Sequence, residues 1–534
     1  MANSKLFHKT GGIRPSRSAF NLSQSVRFDA DFGELIPVFC RKVVPGDTFQ
    51  LGQEAVVRTT PLVAPIYDGI DFKTYTFFMP LRLLMGRNLK DYDTASKKYS
   101  NEGEFEDFIS KGVSGNDNTP VPRWNVTNNA QYSLWDYFGF PVGVKPAGYS
   151  APEDWMRRMY NIVYNEYFRD ENLMDPVPLD NEKVLFKCWK KDYFTSALPW
   201  QQRGTSAGLP ISGQLPVSGH VVFDRSDSTQ YIKAIAGAAG NYGPIEFQDD
   251  PESSNKGFLS LGTTGITDLP NSFSGNADLS SAATFDVTDL RLAFQIQKWQ
   301  ERNARGGVRY TEFLQSHFGV SPRDDRLQRP EQIGFTTSPI TVSEVLQTSQ
   351  TSDTSPQGKM AGHGLGASVN RIGSYTAQEF GIIMTLACIV PHDNLYLRGI
   401  PREWLYETPY DYFFPEFVNL SEQPIFTGEL YMTNNEKDNL KEFGYQGRYD
   451  EMRCSHNYVA GGFRDKFLYW TLARKFNGAP LLNSSFVTME AALPELKRIF
   501  AVQNEKGFLI DYAEIVRAIR PLPVMSNPGL IDHN

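Results

Sequence analysis

Cys454 and His456 are the pair that comes nearest to a nucleophile with a neighbouring base. They stand two residues apart, which on a strand would place both side chains on one face. A thiolate activated by an imidazole attacks carbonyl carbons, but it needs an accessible, electropositive surrounding that the residue pattern does not indicate. We therefore interpret this pair as structural.

Asp324 and Asp325 are the next candidates, because paired carboxylates that line one cleft can act as acid and base. Adjacent residues of a strand point to opposite faces, so these two would not share a cleft. Arg323 and Arg326 flank them, which favours ion pairing. No residue set in the chain predicts catalysis, and we therefore expect that the protein is not an enzyme.

Two further clusters are weak as ligand sites. Asp249, Asp250 and Glu252 offer hard oxygen ligands, but the spacing of a calcium loop is missing and a solvated acidic turn is expected. The glycine-rich run at 362–366 is only superficially similar to a dinucleotide loop, since no strand is predicted before it and no helix after it. We predict no cofactor and no bound metal.

A cationic helix begins the most informative stretch, residues 290–330. At 100° per residue its apolar side chains spread over one broad side, while Arg291, Lys298, Arg302 and Arg305 gather on another. A Gly-Gly break follows, and then Tyr310, Phe313, Leu314 and His317 fall in line at helical spacing. His317 is therefore interpreted as a packed histidine and not as a ligand.

Two interpretations of this stretch compete. Cations beside aromatic rings suit single-stranded nucleic acid. However, residues 287–335 contain eight Lys and Arg residues and six acidic residues, so the segment is close to neutral. This balance favours packing or subunit contact through ion pairs over a DNA groove.

The amino end is the other basic segment. Lys5, Lys9, Arg14, Arg17 and Arg27 all precede the first acidic residue, Asp29. They stand among Gly, Ser and Asn, and we predict a flexible basic arm.

The composition bounds the class of protein. A net charge of −8 argues against a chain that as a whole coats nucleic acid, and the four cysteines form no zinc or disulfide pattern. Aromatic residues make up 13%, and 43 Gly with 33 Pro punctuate them, which indicates short strands joined by elaborate loops. With no apolar signal and no run long enough to cross a bilayer, the sequence predicts a soluble protein made in the cytoplasm.

The pattern along the chain is β with insertions. Strands are predicted between residues 34 and 83, at 340–346 and at 380–390, with a Pro-Gly-Asp turn at 45–47 and an inserted helix within 152–173. Residues 204–285 are Gly-, Ser- and Asn-rich and read as a surface insertion with islands of strand at 221–223, 231–232 and 258–259. A second polar loop is predicted at 348–375, and a proline-punctuated tail at 520–523.

Five motifs, which occur along the chain in the order that the family has, resemble one known family. These are residues 290–330, YFTSALPWQQRG at 193–204, FGYQGRYDEMR at 443–453, PGDT at 45–48 and FFMPLRL at 77–83. They are similar to segments of the major capsid proteins of Microviridae, in the gokushovirus-like branch, which are small tailless phages with single-stranded DNA. The resemblance covers residues 27–465.

The resemblance implies a mainly β fold, an eight-stranded antiparallel jelly roll with long loop insertions and a few helices. It implies a basic arm at 1–33, the jelly roll at 34–203 and 286–534, and a threefold surface protrusion at 204–285. Sixty copies would form a T=1 icosahedral shell, assembled in the host cytoplasm and present in the virion. Subunit contacts would involve five arginines: Arg302, Arg305, Arg309, Arg323 and Arg326.

The implied partners follow from this role. They are other copies of the chain, genomic single-stranded DNA, a DNA pilot protein, a small basic packaging protein, an internal scaffolding protein and a host surface receptor, without membrane insertion. Lys5, Lys9, Arg14 and Arg17 would face the DNA. Five charges per arm give about 300 per shell, too few to neutralise a genome, so other cations or the packaging protein must contribute.

Two other classes of function stay open. A jelly-roll glycan-binding protein or hydrolase would require a carboxylate pair in a groove. A free single-stranded-DNA-binding protein would require salt-sensitive affinity in the isolated subunit.

Overall fold

Antiparallel strands dominate the part of the chain that the computed structural model describes, which is residues 16–85, 92–93, 98–99, 121–204, 214–220, 245–249, 257–261, 272–278, 287–307, 309–346 and 360–525. The strands are β1 (Ser18–Asn21), β2 (Gln24–Ala30), β3 (Ile36–Val43), β4 (Thr48–Thr59), β5 (Ile70–Pro80), β6 (Tyr92–Asp93), β7 (Lys98–Tyr99), β8 (Gln214–His220), β9 (Ile245–Asp249), β10 (Gly257–Leu261), β11 (Ser272–Asp278), β12 (Glu331–Leu346), β13 (Met360–Thr376), β14 (Gly381–Pro391), β15 (Gln423–Phe426), β16 (Glu442–Gln446) and β17 (Phe508–Arg520).

The helices are short apart from one. They are α1 (Leu81–Met85), α2 (Leu134–Tyr137), α3 (Trp155–Val163), α4 (Val287–Arg305), α5 (Tyr310–Phe318), α6 (Thr427–Leu430), α7 (Glu436–Asn439), α8 (Ser484–Val487) and α9 (Leu493–Leu496). A π-helical turn, Tyr164–Phe168, extends α3. Single 3₁₀ turns lie at Gly148–Ser150, Arg402–Trp404, Pro409–Asp411, Pro415–Phe417, Asp450–Met452, Gly461–Arg464, Leu468–Trp470, Glu490–Ala492 and Lys497–Ile499.

Eight strands form two four-stranded sheets with jelly-roll connectivity. The first sheet has the order β2-β17-β4-β13, and β1 continues β2 along β17 in the same register. The second has the order β3-β14-β5-β12. The long strand β12 joins the sheets, because Ile70–Pro80 pairs with its first part and β13 with its last part. The predicted eight-stranded antiparallel jelly roll is confirmed.

A buried polar layer crosses the space between the sheets. Thr74 of the second sheet donates to Gln53 Oε1 of the first at 2.6 Å. Thr385 donates to Glu514 Oε1 at 3.3 Å in the same way, and its hydroxyl lies 2.9 Å from that of Thr76. Apolar side chains surround this layer, so that the sheets meet through hydrogen bonds as well as through hydrophobic contact.

The two sheets differ in their outer faces. Every residue of β14 is buried, because residues 121–204 cover the outer face of the second sheet. Tyr75 and Phe77 pack there against the rings of Phe168 and Tyr167, at centroid distances of 5.1 and 4.8 Å. On the first sheet β4 and β17 alternate between buried and exposed residues, so its outer face is uncovered by the described residues.

The expected strands and helices are present with three corrections. The loop predicted at 348–375 contains β13, and the tail is preceded by a strand, β17, that was not predicted. The amino arm is not flexible throughout, because 18–21 and 24–30 are strands paired with β17. Residues 1–15 lie outside the described part. The insertion island at 258–259 lies in β10, while 221–223 and 231–232 are also outside it.

Glycines explain why β13 looked like a loop. Gly362, Gly364 and Gly366 occupy the inward-facing, buried positions of the strand, where larger side chains would be expected. A Cβ at Gly362 would lie 2.6 Å from the carbonyl oxygen of Ala64, and one at Gly364 would lie 2.5 Å from Thr59. Close approach of backbone and side chains therefore requires glycine here, against its low strand propensity.

The backbone separates into two units, Met1–Arg203 with Glu301–Asn534, and Gly204–Gln300. The first contains the jelly roll. In the second unit, β8 pairs with β11 and β9 pairs with β10, both antiparallel. The β9–β10 pair lies between β8 and β11 in the sequence.

Candidate functional site

The helix pair of the 290–330 stretch is built as its sequence predicts. Helix α4 ends at Arg305, and Gly307 follows with a φ of +90°, a conformation that glycine adopts without strain. Helix α5 begins after Arg309, whose backbone N–H donates to Glu312 Oε2 at 3.2 Å, and it ends at Gly319 with a φ of +68°. His317 packs on Phe313 with ring centroids 4.5 Å apart and bonds Asn303, so its interpretation as a packed histidine is confirmed.

Two of the five predicted contact arginines are held within the subunit. Arg305 Nη2 donates to Glu422 Oε2 at 3.1 Å. Burial raises the pKa of Glu422, and the hydrogen bond from Arg305 opposes that shift. Arg309 Nε lies 2.9 Å from Glu171 Oε1, and its Nη1 lies 3.3 Å from Glu312.

The other three predicted arginines are exposed. Arg323 has 83% of its side chain accessible and only a 3.5 Å pair with Asp325. Arg302 and Arg326 are exposed and have no ion pair among the described residues. Asp324 is paired with Arg329 at 2.7 Å, so both aspartates are ion-paired as expected. Arg329, which also lies over the Tyr167 ring, was not predicted.

The basic arm can be located only in part. Lys5, Lys9 and Arg14 lie outside the described residues. Arg17 is exposed and donates to the carbonyl oxygen of Gly46 in the predicted Pro-Gly-Asp turn. Arg27 lies on the outer face of the first sheet, 3.5 Å from Asp511. The DNA-contact role of Lys5, Lys9, Arg14 and Arg17 stays a prediction.

Cys454 and His456 each contact other residues. They lie in an irregular segment, and the ring of His456 stacks on Phe194 at 4.9 Å. The Cys454 thiol donates to the carbonyl oxygen of Asp450 at 3.2 Å. Burial raises its pKa, and the nearby Asp450 carboxylate raises it further, so the neutral thiol is favoured over the nucleophilic thiolate.

A buried carboxylate pair that sequence reasoning missed lies beside a cavity of about 490 Å³. Glu429 accepts from Tyr193 OH at 3.1 Å and from Phe426 N at 2.9 Å, and Arg402 Nη1 lies 3.4 Å away. Burial raises the pKa of Glu429 to about 7. The oxygens of Glu451 accept from Tyr406 and Gln423. These oxygens accept hydrogen bonds from internal donors and so stabilise the fold. Cys454 lines the same cavity, where its raised pKa favours the neutral thiol.

Within the described ranges, no three His, Cys, Asp or Glu side chains converge as a metal-ligand set would. The helices that can be described include none with the length and hydropathy of a bilayer span. Asp249 lies at the end of β9, while Asp250 and Glu252 fall outside the described part.

Known proteins are similar to this chain over nearly its whole length. A family model described as "Capsid protein (F protein)" matches residues 9–530. The chain is 31% identical to capsid protein VP1 of Chlamydia phage 1 over 594 residues, covering 96% of both chains. It is 32% identical to capsid protein VP1 of Bdellovibrio phage phiMH2K, covering 99% of this chain and 98% of that one. Capsid protein VP1 of Spiroplasma virus 4 is 28% identical, with 93% and 92% covered.

Proposed function

This chain belongs to the family of phage F capsid proteins, and from that premise we propose that it is the major capsid protein of a small tailless phage with single-stranded DNA. Sixty copies would form a T=1 shell that encloses the genome and presents the surface for attachment to the host. The observation that carries the proposal is a jelly roll in which some connections are much longer than the strands that they join. Residues 81–330 alone separate β5 from β12.

This architecture suits a shell. Two sheets that share one core give each copy a rigid body, while long connections at the ends of the sheets are free to meet neighbouring copies. Contacts between different patches of identical copies close into a finite assembly when the rotation between copies closes. The unit Gly204–Gln300 contains the two separate strand pairs, and we assign residues 204–285 to the outer protrusion that meets a host receptor.

The remaining partners belong to the same proposal. Genomic DNA lies against the inner surface with the basic arm. The DNA pilot protein and the small basic packaging protein complete the virion, and an internal scaffolding protein acts during assembly in the host cytoplasm. A role without catalysis is consistent with the internal hydrogen bonding of Glu429 and Glu451.

Assembly tests the function. The purified full-length chain, alone or with the phage's scaffolding protein, should form uniform icosahedral particles, measured by negative-stain microscopy and sedimentation. Monomers under every condition would reject the capsid role. Saturable binding of a glycan by those monomers would support the glycan-binding alternative, and tight, salt-sensitive binding of single-stranded DNA would support the free DNA-binding protein.

The arm gives a separate prediction. Neutralisation of Lys5, Lys9 and Arg14 together to glutamine should leave particle formation intact and reduce the DNA retained per particle, because phosphate contacts are lost. Arg17 is kept, since it bonds the turn at Gly46. DNA per particle is measured by absorbance ratio after nuclease treatment.

A matched control removes three charges elsewhere. Lys437, Lys441 and Lys466 are exposed, and their replacement by glutamine changes the net charge by the same amount. Equal DNA content in the arm variant and in this control would show that the arm has no specific role.

A further inference from the structure

An exposed aromatic surface with an acidic rim lies on the segment between β14 and β15. Four of its members are aromatic and two are glutamates, and we name it the acidic aromatic patch: Trp404, Tyr410, Tyr412, Phe413, Glu403 and Glu407. Trp404 is 75% exposed and Tyr410 is 67% exposed. Apolar rings gathered in this way on a soluble protein mark a contact surface.

The acidic aromatic patch is held in one conformation although the segment has little regular structure. Tyr449 OH donates to the carbonyl oxygen of Tyr412 at 2.9 Å, and Arg448 Nη2 donates to that of Tyr410 at 2.6 Å. Asp411 accepts from the Thr408 N–H at 2.8 Å. A backbone anchored in this way is preorganised, so that binding through its side chains costs less conformational entropy.

The charges of the patch exclude one occupant. Glu403 and Glu407 are exposed and have no ion pair among the residues described here. A phosphate backbone would be repelled by these carboxylates, so stacking of DNA bases on the rings is disfavoured. The patch instead suits a protein surface that has apolar groups and exposed cations.

Such a surface exists on the same chain. We name it the basic patch, and it consists of Arg302, Arg323, Arg326, Tyr310, Phe318 and Val320. Phe318 is 70% exposed, and Tyr310 and Val320 are exposed as well. Arg302 and Arg326 have no ion pair among the described residues, and Arg323, which pairs with Asp325 at 3.5 Å, still has 83% of its side chain exposed.

Side-chain contacts join the elements that carry the basic patch. His317 Nε2 lies 2.6 Å from Asn303 Oδ1, which joins α5 to the end of α4. Arg329 donates to Thr311 Oγ1 at 3.2 Å and pairs with Asp324 at 2.7 Å, which joins the turn after α5 to the helix. Cations and rings are therefore presented together on one framework.

We infer that the acidic aromatic patch of one copy docks against the basic patch of a second copy. The inference rests on the proposed function and names two surfaces through which copies meet. Carboxylates face guanidinium groups across the contact, and the rings of Trp404 and Tyr410 pack against the apolar side chains of α5 and its following turn. Aromatic and arginine side chains are the ones that contribute most at protein interfaces.

Charge reversal of full-length chains tests the pairing. Glu403→Lys with Glu407→Lys, or Arg323→Glu with Arg326→Glu, should each reduce the assembled fraction about tenfold or more, because like charges then meet. All four substitutions together should restore assembly to a large part of the wild-type value. Assembled fraction is measured by sedimentation, with circular dichroism confirming that each variant folds.

Truncation of an aromatic side chain tests the apolar part of the contact. Trp404→Ala should reduce assembly about tenfold or more, as expected for an interface anchor. Phe335→Ala is the matched control, since Phe335 on β12 is 65% exposed but belongs to neither patch. It should assemble like the wild type.

The outcomes separate this inference from the capsid role. Particles from the wild type and from both reversal variants alike would overturn the inference alone. No particles from the wild type would overturn the capsid role and the inference with it. A single-stranded oligonucleotide that binds the wild type but not Trp404→Ala, while particles still form, would assign the patch to DNA and also overturn the inference.

Discussion

Replacement of Glu182 by alanine should lower the free energy of unfolding of the unassembled subunit by about 3 to 5 kcal/mol. Glu182 is buried and is the shared acceptor of one region: it accepts from Trp124 Nε1 at 2.9 Å, from Thr127 Oγ1 at 2.7 Å and from Asn128 N at 2.6 Å. Arg157 Nη1 lies 3.2 Å away. Alanine leaves the buried indole N–H of Trp124 without its acceptor and removes one carboxylate partner of the buried Arg157. Urea titration followed by tryptophan fluorescence measures the loss.

Two comparisons isolate the role of the carboxylate. Glu182→Gln keeps one acceptor oxygen and should cost less than alanine. Glu153→Ala removes a carboxylate whose partner, Lys42, is largely exposed, and should cost about 1 kcal/mol or less. If Glu182→Ala and Glu153→Ala have equal effects, the hydrogen bonds of Glu182 contribute nothing special.

The pH dependence of Glu182 has a defined sign. Burial opposes its ionisation, but hydrogen bonds from Thr127 and Trp124 outweigh that cost and lower its pKa. The folded state therefore binds fewer protons than the unfolded state near the ordinary pKa of glutamate, and the contribution is present above it. It is lost as the pH falls through the folded pKa, so the difference between wild type and Glu182→Ala should shrink in acid.

How far the sequence predicts this molecule depends on the kind of feature. Residues 34–83 alternate clearly and form β3, β4 and β5, and the helical spacing of Trp155 and Met159 corresponds to α3. The strand β13 was missed because its inward positions are glycines. Glycine is needed there because Ala64 and Thr59 approach the backbone of the strand closely. Nothing local in a sequence reports such long-range packing.

The missed site residues have the same explanation. Glu514 interrupts the alternating apolar face of β17, and Glu429 stands in the single-turn helix α6. A charged residue at either place would be predicted from sequence to be exposed. Both are buried because partners distant in sequence, Thr385 for one and Tyr193 for the other, surround them. For the arginines, charge counting predicted ion pairing, but which of them pair internally is decided by Glu422 and Glu171.

A buried acid between the sheets should make the subunit less stable as the pH rises. Glu514 is fully buried in β17, where Tyr512 OH and Thr385 Oγ1 donate to it, and no cation pairs with it among the described residues. Burial raises its pKa to about 7, and the two hydrogen bonds only partly oppose the shift. Glu514 is therefore protonated in the folded subunit at mildly acid pH.

Glu514→Gln should remove this dependence. Because the folded pKa lies above the unfolded one, the contribution of Glu514 is fully present below about pH 4 and is lost as the pH rises through about 7. Glutamine is neutral at both pH values, and its amide oxygen accepts one of the two hydrogen bonds while its NH2 group can donate to the other hydroxyl oxygen. At pH 8 the variant should therefore gain about 2 to 4 kcal/mol over the wild type relative to their difference at pH 5. Urea titrations at both pH values measure this change. Glu54→Gln, exposed on the opposite face of the same sheet, is the control, and an equal pH response in the two variants would mean that Glu514 is ionised in the core.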